Sequence, residues 1–186
     1  MGYAIELPLD PRAASEVGVL RQMLETAGIP TLTASVGDIP HVSLGVFSDD
    51  ADRASLERVM YELAEEAIPV EFRIETVNTF VEPQPVLYLE PAPSRGLRTL
   101  HERFLDLLDE RASASLSAYY RPELWQPHCT VAMEFDRAQL EQASALVRNR
   151  LSPLDVVCES LQLVRFRPVE VLAHRGFRGH LAATQT

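Results

Sequence analysis

Pro40-His41-Val42-Ser43-Leu44 and Pro127-His128-Cys129-Thr130-Val131 are two copies of one pattern: proline, histidine, any residue, a hydroxyl, then an aliphatic residue. With five histidines and 13 prolines in 186 residues, the chance that a given histidine carries this pattern is about 0.008, so two hits argue for a shared origin or task. On a strand, side chains at i and i+2 point to one face. His41 therefore shares a face with Ser43, and His128 with Thr130. The same alternation carries Gly45 and Phe47 onto the first equipped face and Ala132 onto the second, leaving room for a ligand. Val42, Leu44 and Val46, with Cys129, Val131 and Met133, make the opposite, dry faces.

Outward from these strands, the periodicities alternate between strand and helix. A strand is expected over about 3–7, then a helix with Asp10 as cap, Pro11 in its first turn and Gly28 as its stop. After the first motif strand, 41–47, Asp49 and Asp50 open a helix with Leu56, Val59, Leu63 and Ala67 on one face. A strand over 70–80 ends at Glu82-Pro83-Gln84-Pro85. The order then returns: strand 86–90, helix from Pro93 to about Arg111, motif strand 128–135, helix 136–150, strand 155–166, and a last strand near 169–174. Tyr3 to His41 is 38 residues and Tyr88 to His128 is 40; His41 to Val70 is 29 and His128 to Asp155 is 27. These spacings read as a diverged internal duplication, with one lobe over about 1–85 and the other over about 86–186. If the lobes pack about a pseudo-twofold axis, the two equipped faces meet across a cleft.

Composition removes several function classes. All 17 basic residues are arginine, so no lysine nucleophile, Schiff base or phosphate-loop lysine is available. A net charge of −10 opposes broad nonspecific nucleic-acid binding, which relies on neutralising many phosphates. Dividing the chain gives 15 acidic and 5 basic residues over 1–85, and 12 of each over 86–186. The second lobe is thus the expected approach for an RNA end, with no extended RNA surface. Cys129 and Cys158 are expected as buried thiols. No apolar run reaches the ~18–20 residues of a membrane span, and no secretory signal pattern opens the chain. A cytoplasmic monomer is expected.

Two histidines on one cleft can act as general base and general acid. An imidazole has a pKa of ~6.5, so one ring can be neutral while the other is charged. Each such proton transfer contributes ~10²–10⁴ in rate. The hydroxyls of Ser43 and Thr130 can donate to phosphoryl oxygens. That inventory suits attack on a phosphodiester without metal or other cofactor; two histidines without a clear third ligand make a poor zinc set.

The paired motifs, 87 residues apart, resemble the 2H phosphoesterase superfamily in its 2′-5′ RNA ligase and cyclic phosphodiesterase branch, over nearly the whole chain. The resemblance implies an α+β, bilobal, pseudo-twofold fold in which antiparallel sheets face a central cleft with helices outside. It implies one domain over 1–186, catalytic His41 and His128, and phosphate-binding Ser43 and Thr130. It also implies opening of a 2′,3′-cyclic phosphate on a small nucleotide or RNA end, in some members reversible as 2′-5′ ligation. Ser43 stands where threonine is commoner, with the hydroxyl kept. Other members bind nucleotides without known catalysis, so a binding or sensing module is the alternative.

Phe47, Trp125, Tyr3 and Tyr88 are candidates for stacking on a base or lining the cleft; each also reads as a packing residue or loop anchor. Tyr3 and Tyr88 occupy matching places in the first strand of each half, and Tyr119 or Tyr120 lies on the loop entering the second motif. Arg165 and Arg167 alternate on one strand face. His101, His174 and His180 are expected at the surface, and Glu62, Glu65 and Glu66 on a solvated helix face.

Overall fold

Side chains punctuate the chain where its periodicity changes. Asp10 accepts from the backbone N–H of Arg12 and Ala13 at 3.0 Å each, and Pro11 needs no N–H partner in the first turn. Helix α1 (Pro11–Thr26) thus starts at Pro11. Gly28 follows it with φ +77°, a left-handed conformation that costs glycine nothing. Asp52, Ser94 and Asp136 cap α2 (Arg53–Glu66), α3 (Arg95–Asp106) and α5 (Arg137–Arg150) in the same way. Asp52 takes the place expected of Asp49 and Asp50. The helix expected from Pro93 to Arg111 ends at Asp106; Asp109 then caps the short α4 (Glu110–Ser115).

The computed structural model describes residues 2–31, 38–82, 84–166 and 168–180. Its eight strands are β1 (Gly2–Pro8), β2 (His41–Ser48), β3 (Val70–Phe80), β4 (Val86–Pro91), β5 (Cys129–Met133), β6 (Leu154–Cys158), β7 (Ser160–Phe166) and β8 (Glu170–Gly176). They form two antiparallel four-stranded sheets, ordered β2-β1-β7-β8 and β5-β4-β3-β6. The fold is α+β, and the two sheets are built alike: each motif strand is an outer strand beside the first strand of its own half.

Two expectations change here. The single strand expected over 155–166 is two strands, β6 and β7, in different sheets. The chain crosses at Glu159, whose carbonyl accepts from Phe177 N at 2.8 Å. The apolar alternation runs through this crossing, so no composition signal marks it. The expected lobe boundary near residue 85 also fails to divide the sheets. β3 precedes it yet pairs in the second sheet, and β7 follows it yet pairs in the first. The first half thus lends β3 to the second sheet, and the second half lends β7 and β8 to the first. One buried cluster joins Ile5, Leu7, Val42 and Leu44 to Leu87, Leu89, Cys129 and Val131 across both sheets.

Among the remaining expectations, Cys129 and Cys158 are buried free thiols. His174 is exposed, whereas His101 is 3% exposed and belongs to the interior; the side chain of His180 lies outside the described residues. Arg165 pairs with Glu170 at 2.6 Å, and Arg167 lies outside the described residues. The acidic helix face is laced to arginines, with Glu62 on Arg58, Glu65 on Arg175 and Arg178, and Glu66 on Arg103. No described helix is long and apolar enough to cross a membrane.

Candidate active site

Both motif strands carry a β-bulge at the same place. On β2 the register runs Glu6↔Ser43 then Ile5↔Gly45, so Leu44 is the inserted residue. On β5 it runs Tyr88↔Thr130 then Leu87↔Ala132, so Val131 is inserted. A bulge shifts the two-residue alternation by one. His41 and Ser43, and His128 and Thr130, keep the half-buried face expected of them, but the residues beyond do not. Gly45 and Ala132 turn into the core, with Phe104 against Gly45. Phe47, expected on the equipped face, is 2% exposed and packs edge-on against Phe104, with ring centroids 6.2 Å apart. The bulge is the physical reason, and Phe47 is a core residue.

The two motifs lie against each other. The Cys129 thiol contacts the His41 backbone, and burial pushes that thiol up to about 12. The Arg21 guanidinium reaches Asp38 beside the first motif at 3.0 Å and the Thr130 carbonyl of the second at 2.9 Å. Each histidine is fixed in the same way: His41 Nδ1 donates to the Ile39 carbonyl, and His128 Nδ1 to the Gln126 carbonyl, both at 2.7 Å. This bond selects the ring orientation and leaves Nε2 for chemistry.

Beyond that, the surroundings part company. Glu6 stands opposite Ser43, and Tyr88 opposite Thr130. In the next strand Gln162 stands opposite Glu6, and Asn78 opposite Tyr88. The counterpart of Tyr88 is therefore the carboxylate Glu6, not Tyr3. Glu6 is 5% exposed, held by Gln162 Nε2 at 2.8 Å, and its Oε1 lies 3.3 Å from His41 Nε2. Asp38 Oδ1 lies 3.3 Å from His41 Nδ1. Burial works against a charged His41, but Glu6 and Asp38 outweigh it and the imidazole is pushed up to about 9. Burial in turn raises Glu6. Asp38 is held below its ordinary range: burial alone would raise it, but His41 and Arg21 outweigh that.

His128 meets aromatic edges instead. Its ring centroid lies 5.2 Å from that of Phe80 and 5.4 Å from that of Tyr88, and these two rings stack at 4.3 Å. Burial, with the charge of His41 in the same direction, lowers the His128 pKa against the pull of the Gln126 carbonyl. Burial likewise keeps Tyr88 a neutral phenol. Gln126 Nε2 donates to the Tyr88 hydroxyl and to Glu90 Oε1 at 2.9 Å each, and Asn78 Nδ2 donates to Glu90 Oε2 at 2.7 Å. A near-twofold frame thus carries one histidine in an anionic setting and one in an aromatic setting.

The other aromatic candidates divide. Tyr88 lines the His128 side. Tyr3 pairs in register with Phe47, at the opposite end of β1 from Pro8 and His41. Trp125 stacks flat on His101, 3.7 Å between centroids at 3°, and donates its indole N–H to the Ser43 carbonyl at 3.1 Å. Tyr120 meets the Ser43 side chain, and burial pushes its phenol up to about 12; Tyr119 is 67% exposed. A cavity of about 570 Å³ opens beside Trp125, lined by His101, Glu90, Arg98 and Pro127; neither motif histidine lines it. Sequence reasoning missed Glu6, Asp38, Arg21, Phe80 and Gln126. Glu6 had one available signal, a carboxylate alternating among apolar residues on an interior strand. Asp38 and Gln126 lie three and two residues before their histidines, a local signal left unread, whereas Arg21 and Phe80 reach the motifs only through the tertiary fold.

Among the described residues, no group of three or more His, Cys, Asp or Glu side chains is arranged to hold a metal ion.

Solved structures share this architecture. TT0787 of Thermus thermophilus superposes with a TM-score of 0.62 at 19% identity, covering 96% of this chain and 99% of its own. E. coli LigT complexed with 3′-AMP gives 0.60 at 15% identity, covering 95% and 98%. A crystal structure described as a phosphoesterase gives 0.62 at 14%, covering 95% and 97%. No curated protein matches the sequence. The profile of the 2′-5′ RNA ligase superfamily matches residues 9–170, which include both histidine motifs, and the chain belongs to that superfamily.

Proposed function

We propose that this protein opens a 2′,3′-cyclic phosphate, or a related nucleotide cyclic ester, with His128 as general base and His41 as general acid. The observation that carries the assignment is the exchange of Glu6 for Tyr88 at matched positions. Near neutral pH the carboxylates keep His41 an imidazolium, while the aromatic pocket keeps His128 neutral. His128 Nε2 takes a proton from water as the water oxygen forms its bond to phosphorus. The ring P–O bond breaks, and the departing oxygen takes a proton from His41. The Glu6 contact to His41 Nε2, at 3.3 Å, is longer than the ~2.7–2.9 Å of a tight charge-assisted bond, so that proton is not locked. Ser43 and Thr130 donate their hydroxyl protons to the non-bridging oxygens, and the Tyr120 phenol at Ser43 orients the first of these. In the reverse sense, as in 2′-5′ joining, the two histidines exchange roles.

The relatives solved with bound 3′-AMP and with NADP+ fit a small nucleotide as ligand here, reached without an extended RNA surface. The test is turnover of 2′,3′-cyclic AMP. His41→Ala and His128→Ala are each expected to lose at least ~10²-fold in kcat while keeping the wild-type circular dichroism spectrum at the assay temperature, and chelator is expected to leave wild-type activity intact. The pH profile should be a broad bell, falling on the acid side below ~6.5 and on the basic side near 9. Wild-type rates in both alanine variants would refute the reading, and tight nucleotide binding without turnover would favour a sensing module.

A further inference from the structure

β2 and β5 are outer strands of their sheets, so their outward backbone groups need partners from elsewhere in the molecule. At each motif the carbonyl of the hydroxyl residue finds one, and it comes from the other half of the chain. The Ser43 carbonyl, in the first half, accepts from Trp125 Nε1 at 3.1 Å. The Thr130 carbonyl, in the second half, accepts from Arg21 Nη2 at 2.9 Å. Arg21 is 5% exposed; its Nη1 donates to the Asp38 carbonyl at 2.8 Å and its Nη2 to Asp38 Oδ2 at 3.0 Å. Trp125 is clamped on His101, whose pKa burial pushes down to about 4. Both donors are therefore held by their own surroundings and do not depend on the carbonyl for their place.

We propose that Arg21 and Trp125 are reciprocal positioning residues that set the separation of the two hydroxyls across the cleft. The proposal rests on the phosphodiester reading of the site. Each brace grips the backbone of one hydroxyl residue from the opposite half, so together they fix Ser43 relative to Thr130. Neither donor touches the reacting atoms. Misplacing a contact by ~1 Å can cost ~10²-fold in rate, and loosening one brace is expected to cost about a tenth of that.

Trp125→Phe keeps the ring stacked on His101 and removes the N–H. For wild type, Trp125→Phe, Ser43→Ala and the double variant, the measurements are kcat and KM with 2′,3′-cyclic AMP and the inhibition constant of inorganic phosphate. Trp125→Phe is expected to lose roughly tenfold in kcat/KM and to weaken phosphate several-fold, with both limbs of the pH profile unmoved. In the Ser43→Ala background the same change should cost less than about twofold, because the hydroxyl it positions is gone. Arg21→Lys should likewise cost less beside Thr130→Ala than alone. If it does not fold, the Trp125 arm carries the test. Equal losses with and without Ser43, or no loss at all in an active enzyme, overturn the braces alone. Wild type that neither turns over cyclic AMP nor binds phosphate overturns the phosphodiester reading, and the positioning role with it.

Discussion

Glu6 and Tyr88 occupy the same place beside the two motif strands, and their difference is the main chemical asymmetry of the cleft. A buried carboxylate 3.3 Å from an imidazole favours its cation, whereas aromatic edges carry no charge, so that burial outweighs the Gln126 carbonyl and favours the neutral ring. Replacing Glu6 by Gln keeps the shape and removes the charge. Glu6→Gln should move the basic limb of the pH–rate profile down from about 9 toward the ordinary histidine value, leaving the acid limb in place. An unmoved basic limb would show that Glu6 does not hold the His41 proton. The apolar neighbours of Glu6 announce a carboxylate on an interior strand but not its partner. The histidines and hydroxyls were legible because their spacing repeats. Glu6, Arg21 and Phe80 were not, because their roles come from distances that the chain closes only on folding.

At the scale of the element, the motif strand follows the alternation of its sequence for three residues and then departs from it. The bulges at Leu44 and Val131 turn Phe47 and Ala132 inward. They also keep the equipped part of each strand short, since only the histidine and the hydroxyl face the cleft before the strand twists away. Phe47 thus belongs to stability and not to the substrate. Phe47→Leu is expected to destabilise by about 1–2 kcal/mol through imperfect refilling of the core, read as a lower urea midpoint, with KM for cyclic AMP unchanged. A raised KM at unchanged stability would return Phe47 to the cleft. The start of α1, in contrast, was readable directly: Asp10 before Pro11 is a local signal that needs no tertiary partner.

For the molecule as a whole, three histidines titrate away from their ordinary value in opposite senses. His41 is raised to about 9, so the stability it contributes is complete below ~6.5 and is lost as pH rises through 9. His101 is lowered to about 4 and His128 is also lowered; both must stay neutral to remain folded in place, so stability is lost as pH falls below ~6.5 toward 4. Denaturation midpoints should therefore peak near pH 6.5 and fall on both sides, with Glu6→Gln flattening the alkaline fall. A midpoint flat from pH 5 to 9 would contradict these shifts. The charge map also changes at this scale. By sequence halves, all of the −10 sits in residues 1–85. The strand exchange replaces that division: residues 70–158, which carry the second sheet, hold 13 acidic and 9 basic residues. The remainder then carries −6 against −4, so both parts of the molecule carry net negative charge.

By itself the sequence determined what is periodic and local: the two motifs, their shared strand geometry, the order of helices and strands, and the family to which they point. Those properties depend on neighbours within a few residues or on a pattern that repeats. Only the tertiary structure decided which strand joins which sheet, where the bulges turn the strands, and which histidine has a carboxylate beside it. Those depend on contacts between residues far apart in the chain, such as Glu6 with Gln162 or Arg21 with Thr130, whose free energy exists only once burial brings them together.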